Sequence, residues 1–177
     1  IKIYNQDALT FDLSNISKGS EVIIVGNLPY NISSQLLLKW ISYEEWPPFY
    51  NKMYLMFQKE LGKRISSGIN NKTYGKLSVL SQSRCNIKEL IEAPSNIFYP
   101  KPKVNGIVLE FTPIKVFTDV DLEKLKIILN SAFQNRRKKI KNTLNDYCLF
   151  FDDWEADKEL RPENIEVEKY CFLAKKI

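Results

Sequence analysis

The sequence predicts an α/β fold, a mostly parallel sheet covered on both faces, followed by a small all-helical part. Three observations point there. Through residues 1–113, short apolar or β-branched runs alternate with segments whose apolar residues recur at helical spacing. From residue 114 onward strand-like runs stop and only helical spacing recurs. The 177 residues are 44% hydrophobic and 27% charged, enough for a conventional core without disulfides.

Ile1-Lys2-Ile3 reads as a strand. A chain that opens inside a sheet element, with no initiator Met and no signal or transit segment, is expected to be a piece of a longer protein. Residues 21–25 and 53–57 hold two further strand-like runs. Between them, over 33–42, Leu36, Leu37, Trp40 and Ile41 recur at helical spacing, and Ser33 or Ser34 is the expected cap. Pro47-Pro48 breaks the chain before the next strand. Residues 59–67 and 74–84 read as helices around a polar turn at 68–72. Runs at 87–91 and 106–111 look like two more strands joined by the proline-rich loop 94–102, and this last pair has room to be antiparallel at an edge. Past Pro113, Leu122, Leu125, Ile128, Leu129, Ala132 and Phe133 share one helix face. Asp119 and Asp121 stand at its start, where a negative charge favours the helix dipole. Residues 142–151 and 161–174 are helical in character. The expected domains are therefore 1–113 and 114–177.

Composition removes several chemistries. No run of about 18 uncharged apolar residues exists, so no membrane span is expected. Cys85, Cys148 and Cys171 are an odd, widely spaced set that fits reduced thiols in a cytoplasmic setting and cannot build a four-thiolate zinc site. The chain has no histidine, which excludes histidine bases, His-activated nucleophiles and His-ligated metals within it. No metal is expected. Net charge is +5, unevenly spread: 114–141 carries 8 Lys+Arg against 3 Asp+Glu, while 142–177 carries 5 against 9. A basic block suits a nucleic-acid partner but is most often a solvated helix face.

The feature with the most chemistry is Asn27-Leu28-Pro29-Tyr30, at the carboxyl end of the 21–25 strand, where ligands bind in open α/β sheets. Read plainly, it is a strand followed by a proline turn. Read chemically, it suits methyl transfer to a ring-conjugated amine. Such an amine is a poor nucleophile because its lone pair is delocalised. The Asn27 side-chain oxygen and the Leu28 carbonyl can accept from its two N–H groups and localise that lone pair. Pro29 stiffens the turn, and Tyr30 offers a face on which an extruded base can stack.

Residues 27–33 (Asn-Leu-Pro-Tyr-Asn-Ile-Ser) resemble the fourth motif of the small-subunit ribosomal RNA adenine dimethyltransferases (KsgA type). Gln58-Lys59-Glu60, Tyr74-Gly75-Lys76-Leu77-Ser78-Val79 and residues 98–104 (Phe-Tyr-Pro-Lys-Pro-Lys-Val) resemble further motifs of that family, in its order. So do residues 132–138 (Ala-Phe-Gln-Asn-Arg-Arg-Lys) and Arg161-Pro162-Glu163-Asn164-Ile165. The resemblance implies a Rossmann-like class I methyltransferase sheet lacking its first strands, then a helical rRNA-binding domain. It implies a monomer that dimethylates the exocyclic amines of two adjacent adenines in small-subunit rRNA, in immature small subunits, with S-adenosyl-L-methionine as donor.

The resemblance also implies roles. Asn27, Leu28 and Tyr30 would hold the target adenine and Phe98 would cover its other face, although Phe98 alone would more often be core. Gln6-Asp7-Ala8 resembles the third motif, Gly-Asp-Ala. There Asp7 would accept from the adenine amino group of the cofactor and the Ala8 amide would donate to its ring, with Asn27 also facing the cofactor. Taken alone, Asp7 is a turn residue. Arg136, Arg137, Lys138, Lys139 and Lys141 would contact rRNA phosphates. Gln6 replaces a glycine and Asn105-Gly106 replaces Asp-Ser; neither change removes a proposed catalytic group. The family's Gly-rich loop and ribose-binding acid have no counterpart here, so these 177 residues are expected to be inactive alone. Two rivals stand beside this reading. One is a large-subunit rRNA adenine methyltransferase conferring antibiotic resistance; the other is a non-catalytic ribosome-assembly factor.

Overall fold

The structure, a computed structural model, describes residues 1–16, 21–151, 153–154 and 156–177. In chain order it contains β1 (Ile23–Asn27), α1 (Ser33–Ile41), β2 (Lys52–Gln58), α2 (Lys59–Ser66), α3 (Lys76–Gln82), β3 (Cys85–Ala93) and β4 (Gly106–Pro113). Helices α4 (Leu122–Gln134), α5 (Ile140–Thr143) and α6 (Val167–Lys176) follow.

The four strands lie in the order β1-β2-β4-β3. Only β1 and β2 are parallel; β4 runs antiparallel to both β2 and β3. The expected mostly parallel sheet is thus corrected to a mixed one. The reason lies in the connections. α1 carries the chain back for a parallel return, whereas β3 reaches β4 through a loop with no α-helix, and β4 inserts between β3 and β2.

Period-two alternation decides which face is buried. Met53, Leu55 and Phe57 of β2 lie opposite Phe111, Leu109 and Ile107 of β4, and all six are buried. α2 and α3 pack on this face. Fully burying side chains of this size stabilises by about 1.5–3 kcal/mol each. Close approach of α2 requires Gly62, where an added Cβ would lie 2.1 Å from Ile107 Cγ2. The opposite face carries Tyr54, Met56, Val108 and the Lys52–Glu110 ion pair, all part-exposed, and Val25 at 77% exposure. Coverage on both faces is therefore also corrected.

Residues 1–3 form no strand. A strand needs a partner ladder, and β1 pairs with β2 alone among the described residues, so Ile1 and Ile3 stay exposed. α1 buries Leu36, Leu37, Trp40 and Ile41 at the expected spacing. Its cap position is Ile32, not a serine. Asp121 stands at the start of α4 and caps it, its Oδ1 accepting from the Glu123 and Lys124 amides at 2.8 and 3.3 Å, while Asp119 pairs with Lys175 at 2.7 Å.

After β4 the described residues are helical or irregular, and one apolar core continues into them. Buried Arg84 ties down the connection. Its guanidinium lies 5.0 Å over the Trp46 ring and donates to the Phe117 and Val120 carbonyls at 3.4 and 3.0 Å. Trp46 Nε1 donates to the Ile114 carbonyl at 2.7 Å. Among the described residues no helix is long and apolar enough to cross a membrane, and no cluster of acidic or cysteine side chains could hold a metal ion.

Candidate active site

The turn after β1 is pinned from several sides. Gly26 leaves room for buried Leu28: an added Cβ would stand 2.7 Å from Leu28 Cδ2 and 3.2 Å from Leu55 Cδ2. The Ile32 amide donates to the Pro29 carbonyl at 3.1 Å, and the Leu36 amide to Ile32 at 2.9 Å. Ser33 is fully buried, and its hydroxyl donates to the Tyr30 carbonyl at 3.1 Å. The serine expected to cap α1 thus holds the tyrosine instead. What the turn leaves unclaimed is chemically specific. Asn27 is exposed, and among the described residues neither its side-chain amide nor the Leu28 carbonyl has a hydrogen-bond partner. Two acceptors one residue apart are thereby available at the carboxyl edge of the sheet. Tyr30 is half-buried and joins neither a ring pair nor the apolar core.

The loop that carries Phe98 springs from the same edge. Asn27 sits opposite Met56, while Gly106 sits opposite both Gln58 and Ala93. The loop 94–105 therefore leaves and re-enters the sheet beside the end of β2. Two contacts of Asn105 close its base: the carbonyl accepts from the Lys59 amide at 2.8 Å and Oδ1 accepts from the Ser95 amide at 3.0 Å. An amide oxygen fills this accepting role as a carboxylate would, which explains why Asn105 is tolerated there. Phe98 is half-buried and lies outside the apolar core. It makes no ring contact with Tyr30; the loop that carries Phe98 starts and ends at the end of the sheet from which the Tyr30 turn departs.

Asp7 is a turn residue in the structure. Its Oδ1 accepts from the Leu9 amide at 2.8 Å, and its carbonyl accepts from the Thr10 and Phe11 amides at 3.1 and 2.9 Å. The second carboxylate oxygen and the amide of exposed Ala8 have no partner among the described residues, leaving an acceptor and a donor side by side.

The basic block divides. Arg136 turns inward, with Nε 3.4 Å from Glu163 Oε2 and Nη2 donating to the Asn71 carbonyl at 3.2 Å. Lys139 and Lys141 both bind Glu159, the first at 2.6 Å. These two ammonium groups, Lys139 foremost, hold the Glu159 carboxyl down at about 2. Arg137 and Lys138 are exposed and without side-chain partners among the described residues. Sequence reading weighted the five cations equally because their acidic partners lie far along the chain.

Comparison with known proteins bears on the fold and the family. The sequence model of the ribosomal RNA adenine dimethylase family matches residues 1–164. The ribosomal RNA small subunit methyltransferase A of Bradyrhizobium diazoefficiens is 35% identical, over all of this chain and 64% of that protein. Its namesakes from Enterobacter sp. (strain 638) and Escherichia coli (strain 55989 / EAEC) are 38% and 37% identical, over 98% of this chain and 65% of each protein. The chain thus spans slightly less than two thirds of the length of these curated relatives. Among solved structures, a dimethyladenosine transferase from Plasmodium falciparum superposes with a TM-score of 0.76 at 21% identity, covering 96% of this chain and 70% of that one. The 23S rRNA methyltransferase ErmE gives 0.66 at 15%, covering 98% and 70%. Both likenesses place the fold as the Rossmann-like methyltransferase fold. With the family model matched over nearly the whole length, the chain belongs to the ribosomal RNA adenine dimethylase family.

Proposed function

We propose that this chain carries the base-binding half of an rRNA adenine dimethyltransferase that acts on small-subunit rRNA. The observation that carries the reading is the pair of unclaimed acceptors, Asn27 Oδ1 and the Leu28 carbonyl, on a turn fixed by Gly26, Pro29 and Ser33. An exocyclic adenine amine has two N–H groups to offer them. Accepting both draws the nitrogen towards a tetrahedral shape and localises its lone pair. Tyr30 and Phe98, part-exposed at the same edge, would stack on the two faces of the base. Catalysis of this kind is positioning, and needs no histidine or metal.

S-adenosyl-L-methionine fits the Asp7–Ala8 turn. A free carboxylate oxygen beside a free amide N–H matches the amino group and ring nitrogen along one edge of its adenine. When bound, this group supplies an activated methyl. The helical part, 114–177, would bind RNA through Arg137 and Lys138, the cations with no internal partner among the described residues. Small-subunit rRNA is favoured because the relatives above carry that name. Two adjacent dimethylated adenines, an immature subunit as substrate, a monomer and a cytoplasmic location complete the reading.

The test is methyl transfer by the product of the complete gene, given labelled S-adenosylmethionine and undermethylated ribosomal subunits. Label should appear as N6-dimethyladenine in small-subunit rRNA. Label confined to large-subunit rRNA, or none, would overturn the reading.

A further inference from the structure

Lys39 projects from α1, the helix that begins directly after the Asn27–Tyr30 turn. It is half-buried and meets no carboxylate within ion-pair distance among the described residues. Its ammonium instead donates to three backbone carbonyls, Ala8 at 3.3 Å, Leu9 at 2.9 Å and Phe11 at 2.6 Å. That uses all three of its donors. Charge-assisted bonds of this type are among the stronger ones a protein makes.

The geometry is more specific than a general anchor. In a trans peptide the C=O and N–H point in opposite directions. The peptide that offers its oxygen at Ala8 offers its N–H at Leu9, and that N–H binds Asp7 Oδ1. The next peptide offers its oxygen at Leu9 and its N–H at Thr10, which binds the Asp7 carbonyl. Two consecutive peptide planes are therefore gripped from both ends, by Lys39 on the oxygen side and by Asp7 on the N–H side. Just beyond the end of α1, the Tyr43 hydroxyl reaches Asp12 Oδ1 at 3.5 Å, a weak second attachment. Rotation of the first plane would break the bond from the Leu9 amide to Asp7 Oδ1 and release the carboxylate from its place beside the Ala8 amide, which belongs to the preceding peptide.

We infer that Lys39 is the positioning residue of the methyl-donor site, holding the Asp7–Ala8 turn in the form that receives the donor's adenine and tying it through α1 to the base-binding turn. This rests on the reading under Proposed function. Lys39 itself touches neither ligand; its effect is pre-organisation. Without it the turn samples other conformations, and donor affinity falls by the fraction of time the competent form is lost.

The experiment uses the product of the complete gene with Lys39→Met, which keeps the apolar stem, and Lys39→Arg, which restores a multidentate cation. S-adenosylmethionine affinity is read by titration calorimetry, amide exchange at Leu9, Thr10 and Phe11 by NMR without ligand, and methyl transfer by steady-state kinetics. Lys39→Met should weaken donor binding about tenfold and speed exchange at those amides by a similar factor. KM for the donor should rise much more than kcat falls, with small-subunit binding unchanged and Lys39→Arg recovering most of the loss. Parent-like donor affinity in Lys39→Met would overturn the inference, as would a loss of kcat and melting temperature at constant KM, the mark of a merely structural residue. If the parent binds no S-adenosylmethionine, the preceding functional reading fails and the ligand assigned to Lys39 fails with it. The ligand-free exchange arm separates that case, since it reports whether Lys39 holds the turn at all.

Discussion

The Tyr74 hydroxyl donates to the Ile165 carbonyl oxygen at 3.0 Å, joining residues 91 positions apart. Around it, the Tyr74, Phe133 and Tyr170 rings form a chain with centroids 6.3 and 5.9 Å apart, and Tyr170 donates to the Pro162 carbonyl at 2.8 Å. The Asn70 amide donates to the Glu163 carbonyl at 2.9 Å, and the Asn164 side chain to Asn70 Oδ1 at 2.7 Å. Three segments that stand out in the sequence, 74–79, 132–138 and 161–165, therefore meet where α3 packs against α4 and α6. Much of their distinctiveness is explained by packing rather than by contact with substrate.

Tyr74→Phe keeps the ring and removes the bond, leaving a buried carbonyl without its donor. The expected cost is about 1–2 kcal/mol. A denaturant titration should show a lower midpoint at unchanged slope. An unchanged midpoint would mean the bond is not formed in solution.

Gly62→Ala gains helix propensity of roughly 1 kcal/mol, but places a methyl 2.1 Å from Ile107 Cγ2 on a packed strand. Overpacking of this kind costs about 1–3 kcal/mol, so the variant should be net destabilised. Combined with Ile107→Ala, which removes the opposing methyl, it should lose less than the sum of the single changes. Additive losses would place the strain elsewhere.

Arg137→Gln with Lys138→Gln should weaken binding to small-subunit particles and flatten its salt dependence by about one unit per lost phosphate contact. Arg136→Gln should act chiefly on stability, because its guanidinium is committed to Glu163 and Asn71. Binding measured from low to moderate salt separates the two. An unchanged slope in the double variant would return Arg137 and Lys138 to the status of a solvated face.

Glu159 titrates at about 2 rather than 4.5 because Lys139, and then Lys141, hydrogen-bond its charged form. A folded value below the unfolded one means the pairing contributes above about pH 4.5 and is lost as pH falls towards 2. An NMR titration of the Glu159 carboxyl carbon should show that low midpoint, and Lys139→Met with Lys141→Met should return it towards 4.5. A midpoint near 4.5 in the parent would show the pairs absent. Both lysines stay exposed while they pair with Glu159.

What was legible in the sequence was local. The α1 apolar stripe, the Asp121 cap and the Asn27–Tyr30 turn follow from spacing and residue type within a few positions. What was not legible depended on distant partners. The direction of β4 is set by its insertion between β2 and β3, and the Lys139–Glu159 pair by segments 20 residues apart. Ser33 reads equally well as a helix cap or as the donor to Tyr30, and only the backbone decides between them. Lys39 carries no local signal at all, since the three carbonyls it binds lie about 30 positions upstream.

The central claim is that Asn27 acts on the target amine as its lone pair localises, while Tyr30 captures the base. Single-turnover methyl transfer to small-subunit particles by the product of the complete gene, run beside a separate binding assay, tests it most directly. Asn27→Ala should lose at least about 100-fold in rate, the scale of one bond made mainly in the transition state, with particle affinity nearly unchanged. Tyr30→Ala should lose base capture as well, by about 1–3 kcal/mol, whereas Tyr30→Phe should keep most activity. Asn27→Ala turning over at close to the parent rate would contradict the account, because the unclaimed acceptors at this turn would then have no part in the chemistry.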